Sequence, residues 1–127
     1  MDAEHTVRAF YAALSAGDAP TALGLMADDI EWNTMWHYKV DGRGPQKVAE
    51  GLLMPLMQEW SAFGLESSEF IVQGDTVVSL GHFTGTHGTT GKQVVAAYAH
   101  VWNVENGKIK RFRQYIDTLA VAEARKA

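Results

Sequence analysis

The stretch from Val94 to Thr118 restricts the fold more than any other part of this chain. Two apolar runs flank Val104-Glu105-Asn106-Gly107-Lys108, and Asn-Gly between alternating runs is a strong hairpin signal. Read as a three-residue loop with Gly107 in the left-handed conformation, the turn pairs Val104 with Lys108 and sets His100 opposite Phe112. Side chains alternate across a strand, so one face carries Tyr98, His100, Trp102, Phe112, Gln114 and Ile116. The other carries Ala97, Ala99, Val101, Arg111, Arg113, Tyr115 and Asp117. A polar pair, His100 and Gln114, therefore lies among bulky apolar groups, the composition of a small-molecule pocket. A slip of one residue would exchange the two faces.

At 127 residues the chain is long enough for one core and too short for two, so 1–127 is read as a single domain. A net charge of −4 offers no basic surface for a phosphate backbone, and nucleic acid is not an expected partner. The chain has no cysteine, which removes disulfides, thiolate metal sites and cysteine nucleophiles together. Met1-Asp2-Ala3-Glu4-His5 shows no basic leader followed by an apolar run, and no stretch approaches a membrane span. A cytoplasmic protein without membrane contact is the expectation.

Val7, Phe10, Tyr11 and Leu14 recur at helical spacing, with Gly17 as the stop. Asp18 and Pro20 open a second helix, expected to run to Asp28-Asp29. Ile30 to Thr34 reads as a short strand. Gln46 to Trp60 returns to helical spacing, and Pro55 inside it should kink or divide that helix. From Leu65 onward the pattern is β: Ser67 to Gln73, Val77 to His87, Gln93 to Val104 and Ile109 to Thr118, an antiparallel meander. Asp117 or Thr118 can cap a last short helix. Helices first and a long antiparallel sheet afterward make an α+β layout.

Several of these segments resemble a known family. Ala99-His100-Val101-Trp102, Asn106-Gly107-Lys108-Ile109 and Arg111 to Thr118 are similar to the SnoaL-like branch of the nuclear transport factor 2-like superfamily. So are Phe10-Tyr11, Gly17-Asp18, Ala27 to Trp32 and Leu80 to His87. The resemblance implies a cone, the cystatin-like fold, in which a curved antiparallel sheet wraps a cavity covered by N-terminal helices, with the outer sheet face often forming a homodimer. It spans ketosteroid isomerases, polyketide cyclases, dehydratases, epoxide hydrolases and non-catalytic binding proteins. In this alignment His100 takes the place of the acidic oxyanion donor of ketosteroid isomerases, and Phe112 and Ile116 take apolar wall positions. Gln114 stands where cyclases and epoxide hydrolases carry a working carboxylate. Thr34 stands at the isomerase base position and Phe10 at the helix-one tyrosine, with Tyr11 one residue away. Threonine and glutamine are not general bases near neutral pH, so isomerisation by the family's usual route is not expected.

The catalytic candidates are then His100, as acid/base or oxyanion donor, Gln114 as its orienter, and Asp117, the one carboxylate on the last strand. Regular alternation places Asp117 on the outer face, where helix capping or a dimer contact is the competing role. Tyr98, Trp102, Phe112, Ile116, Trp32, Thr34, Trp36, Phe83 and Tyr11 are the expected ligand contacts, with Met54 and Met57 as further wall. Each aromatic has the plainer alternative of ordinary core. His37, His82 and His87 lack metal-ligand spacing, so no metal and no cofactor are expected. The expected partners are a small hydrophobic carbonyl compound and a second copy of the chain. The rivals to a cofactor-independent proton-transfer enzyme are a binding protein and a dimeric interaction module whose cone is filled by its own side chains.

Overall fold

The computed structural model describes residues 2–127. Asp2 caps α1, Ala3–Ser15, by accepting from the His5 amide at 2.8 Å, and Val7, Phe10 and Tyr11 are buried along its inner face. Asp18 caps α2, Ala19–Gly24, with Pro20 in its first turn. This helix stops before the expected Asp28. Met26, Ile30 and Trp32 are buried at even spacing on the first strand, β1, Met26–Asn33, and that period of two overrides the helical reading of Met26.

The long third helix is divided as its proline requires. It comprises α3, Pro45–Val48, a π-helical turn, Ala49–Leu53, and α4, Met54–Glu59. Pro55 has no N–H for the Gly51 carbonyl and its ring crowds that oxygen, so the preceding turn widens. Trp60, expected to end a helix, instead begins β2, Trp60–Gln73. Irregularities between Ser61 and Gly64 and between Ser67 and Glu69 interrupt this strand's pairing. Such bulges bend a strand and break its alternation, which conceals its first half in the sequence.

β3, Thr76–His87, β4, Gln93–Glu105, and β5, Lys108–Ile116, follow as expected, and α5, Thr118–Arg125, closes the chain. The sheet order is β1-β5-β4-β3-β2. β2 to β5 form the antiparallel meander, but β1 pairs with β5 in parallel, so the sheet is not antiparallel throughout. This pairing brings the end of β1 and the start of β2 to the same end of the sheet on opposite edges. Residues 34–59 must therefore cross from edge to edge, and they carry α3, the π turn and α4 with them. The result is an α+β cone of five curved strands with helices over the concave face. Among the described residues no helix is long and apolar enough to cross a membrane.

The hairpin departs from its expected register twice. Glu105 pairs with Lys108, leaving a two-residue loop in which Asn106 (φ 53°) and Gly107 (φ 73°) are both left-handed. A bulge between Asn103 and Val104 then shifts the pairing by one more residue, so His100 faces Gln114 and Trp102 faces Phe112. Each departure alone would have turned the strand over. Together they preserve the expected faces, and Tyr98, His100, Trp102, Phe112 and Gln114 are all buried.

Candidate functional site

The concave face holds a small, mostly enclosed chamber. Phe10, Tyr11 and Leu14 come from α1, Trp32 from β1, Leu52, Leu53 and Leu56 from the π turn and α4, and His100, Trp102, Phe112 and Gln114 from β4 and β5. Trp36 and Leu65 complete the wall. The free volume is about 20 Å³, room for roughly one water molecule. Four polar side-chain atoms on this wall are buried without a hydrogen-bond partner: Trp32 Nε1, Trp36 Nε1, His100 Nε2 and Gln114 Oε1.

Behind His100 runs a hydrogen-bonded chain. The Trp102 indole donates to Ser79 Oγ at 3.0 Å, Ser79 Oγ lies 2.7 Å from Tyr11 Oη, and Tyr11 Oη lies 2.5 Å from His100 Nδ1. Indole N–H can only donate, so Ser79 accepts from Trp102. Every hydroxyl proton in the chain finds an acceptor when Ser79 donates to Tyr11 and Tyr11 donates to His100. Nδ1 is then the acceptor and the imidazole proton resides on Nε2, the nitrogen without a partner. Burial lowers the His100 pKa to about 3 and raises that of Tyr11, because a charged form would lose its hydration. His100 is therefore a neutral N–H donor at physiological pH. Tyr98 stacks on its ring, with centroids 3.7 Å apart and planes within 5°, which fixes the imidazole plane.

Comparison with known proteins matches residues 7–112 to the SnoaL-like domain. The chain belongs to the SnoaL-like family. Among solved structures, an NTF2-like protein from Burkholderia thailandensis E264 is 32% identical with a TM-score of 0.92, covering 100% of this chain and 99% of its own. An NTF2-like protein of unknown function from Burkholderia pseudomallei K96243 is 26% identical with a TM-score of 0.89, over 100% and 99%. TerC, co-crystallised with polyporic acid, is 26% identical with a TM-score of 0.85, over 97% of each chain. No curated protein matches the chain.

In this SnoaL-like chain the expected site residues separate into two groups. His100, Gln114, Tyr11, Trp32, Trp36, Trp102 and Phe112 line the chamber. Tyr98 lies behind His100, its hydroxyl 2.6 Å from Ser67 Oγ. Thr34 is buried but spends its hydroxyl on the Tyr38 carbonyl. Phe83 packs beneath Trp36 and Trp60, and Ile116 is half-buried at the sheet margin. None of these four reaches the chamber wall. Asp117 is exposed and caps α5 by accepting from the Ala120 amide at 3.1 Å, so the last strand supplies no carboxylate to the site. Gln114 sits across from His100 without hydrogen-bonding to it; Tyr11 is the residue that orients the imidazole. Met54 and Met57 are exposed and not wall.

A second feature of this chain escaped the sequence. Glu59, the last residue of α4, accepts from Arg125 Nε at 2.6 Å, His87 Nε2 at 2.8 Å, His37 Nε2 at 2.9 Å and the Tyr38 hydroxyl. Its partial burial works to raise its pKa, but hydrogen bonds from Tyr38, Arg125, His37 and His87 outweigh this and hold the carboxyl well below the usual range. The amides of Thr89 and Thr90 donate to His87 Nδ1 at 3.3 and 3.2 Å, so the His87 proton lies on Nε2 and points at Glu59. Three segments distant in sequence, at His37–Tyr38, His87 and Arg125, converge on this carboxylate. Locally Glu59 is one of several polar residues, with Gln46, Lys47, Glu50 and Gln58, in a run of helical spacing, so nothing near it in the sequence marks it out.

Proposed function

We propose that the cone binds a small apolar molecule through a carbonyl group, which His100 Nε2–H engages as a neutral hydrogen-bond donor. One observation supports this above the others: four partnerless polar atoms, on Trp32, Trp36, His100 and Gln114, belong to the wall of a single, otherwise apolar chamber. Buried polar atoms are rarely left unpaired, and such a group costs roughly 1–3 kcal/mol. A ligand oxygen on His100 and a ligand hydroxyl on Gln114 would recover that cost. A neutral imidazole donor, preorganised by Tyr11 and Tyr98, stabilises negative charge developing on a carbonyl oxygen. The wall contains no carboxylate, so His100 acts here as an electrophile and not as the base. The reactions it assists are isomerisations, cyclisations, dehydrations or hydrolyses in which substrate or water carries the proton; without such a substrate the site is a carrier. TerC, a relative crystallised with polyporic acid, supports a ligand-binding use of the fold.

The functional unit in this reading is a homodimer. Val95 and Tyr115 are 66% and 47% exposed on the outer sheet face, beside Ala97, Ala99 and Val101, and Arg113 Nε is buried there without a partner. A second copy would cover the apolar residues and supply an acceptor. The small free volume of the chamber favours one other reading, in which the cone is filled by its own side chains and the sheet face carries the function.

Native mass spectrometry of protein purified from its own host separates the two. A small molecule retained by the wild type and lost in both His100→Ala and Trp102→Ala supports the ligand reading. An empty wild-type dimer, unchanged by either substitution, refutes it in favour of the filled cone.

A further inference from the structure

Trp36 belongs to two walls at once. It lines the inner chamber, and it also lines a surface cleft of about 390 Å³ between the Met35–His37 segment and α5, where Leu119, Ala122 and Arg125 form the opposite side. Trp36 is only 5% exposed, and its indole N–H has no partner on either side. Its ring is held edge-on by Tyr38 and Phe83, at centroid distances of 5.0 and 5.3 Å. The apolar rim of the cleft, Met35 at 47% and Leu119 at 66% exposure, has no role in the core.

The two volumes do not match as separate sites. A chamber of about 20 Å³ admits no organic ligand without displacement of a wall residue. The cleft lies within the range of small-molecule sites, roughly 300–1,000 Å³, and of its polar side chains, His37, Thr118 and Arg125, the first and last are bound to Glu59. Were the Trp36 indole to rotate, the two would join into one site with a polar inner end and an outer end walled by Met35, Leu119, Val121 and Ala122.

Building on the carbonyl reading above, we propose that the cleft is the outer half of the ligand site and that Trp36 is the partition between the halves. The ligand is then elongated: a carbonyl head at His100 and an apolar tail between Met35 and α5. Trp36 turns to admit it and offers its N–H to the ligand once inside. Ligand length is read by α5, and ligand chemistry by His100.

Calorimetric titration of the intact protein with acetophenone and with 4-phenylacetophenone tests this. The longer ketone should bind at least about tenfold more tightly, as expected for burial of the added ring. Ala122→Trp, which fills the cleft, and Leu119→Glu, which charges its rim, should each reduce that advantage, read as the ratio of the two affinities in the same variant, to about twofold or less. Both residues are exposed, so the fold tolerates either change. His100→Ala should weaken both ketones. If acetophenone binds in a His100-dependent way while 4-phenylacetophenone gains nothing, or keeps its gain in both α5 variants, the cleft assignment is wrong and the inner site stands. If neither ketone binds the wild type at its solubility limit, both assignments fall.

Discussion

Replacing Tyr11 with phenylalanine removes one oxygen from the middle of the chain that ends at His100. The ring keeps its contacts with Phe10, Phe70 and Trp102, so packing loss is small and the effect is one of hydrogen bonding. Two bonds disappear, at 2.7 Å to Ser79 and 2.5 Å to His100 Nδ1. They leave a serine proton and an imidazole lone pair with nothing to meet, in residues that are 0% and 2% exposed. At roughly 1–3 kcal/mol for each orphaned buried group, less the relief of no longer burying a hydroxyl, the expected loss is about 2–4 kcal/mol. For a domain of this size that corresponds to a fall in Tm of roughly 10 °C. Urea unfolding at pH 7 measures it, and nitrogen-15 NMR of His100 should report loss of the single Nε2–H tautomer. Adding Ser79→Ala should cost less in the Tyr11→Phe background than in the wild type, with a coupling of about 1 kcal/mol or more. A loss below about 0.5 kcal/mol, additive with Ser79→Ala and with an unchanged tautomer, would refute the chain as drawn.

Acid should destabilise the protein through His100. Its folded pKa of about 3 lies below the unfolded value of 6.5, so between these the unfolded state binds a proton that the folded state refuses, and stability falls by about 1.4 kcal/mol per pH unit on acidification. His100→Gln should flatten that slope between pH 4 and 6, and unfolding curves that stay parallel would refute the assignment. Glu59 acts in the same direction at lower pH. Its depressed pKa gives stability that is full above the unfolded carboxyl value of about 4.3 and lost as pH falls below it. Glu59→Gln should cost about 2 kcal/mol at pH 7 and much less at pH 3, checked by chemical denaturation at both. Gly81→Ala should reduce stability by at least about 3 kcal/mol, since its Cβ would lie 2.0 Å from the Glu66 carbonyl oxygen; soluble protein with wild-type Tm would contradict this.

The cone was legible in the sequence wherever one periodicity ran unbroken. Val7, Phe10 and Tyr11 marked α1, and β3 to β5 alternate cleanly enough to give their faces. It was illegible where two patterns meet. Met26 fits a helix and a strand equally, and Trp60 ends one run while beginning another whose bulges hide its alternation. At the site, the sequence supplied His100, Gln114, Trp102 and Phe112 because they share two adjacent strands. It did not supply Ser79 as a link in the chain, Tyr11 as the partner of Nδ1, or the convergence on Glu59, since those contacts span 21 to 89 positions. Asp117 was named as a site candidate although alternation already placed it on the outer face, with capping as the competing role. It lies next to the pocket strand in sequence, but the local demand for a cap on α5 governs its position.

The hairpin's paired departures bear on how related chains can vary. The turn at Asn106-Gly107 and the bulge at Asn103 and Val104 each shift the strands by one residue, and His100 points inward because the shifts cancel in parity. A one-residue insertion or deletion in that turn is therefore not a neutral surface event. Unless the bulge is gained or lost with it, the change would turn one strand over against the other, either sending His100 and Trp102 to the outer sheet face and Val101 into the cone, or sending Phe112 and Gln114 outward and Arg113 inward. Length changes in this loop should arise in compensating pairs, and a chain caught between the two would lose its inner chamber while keeping every residue that builds it.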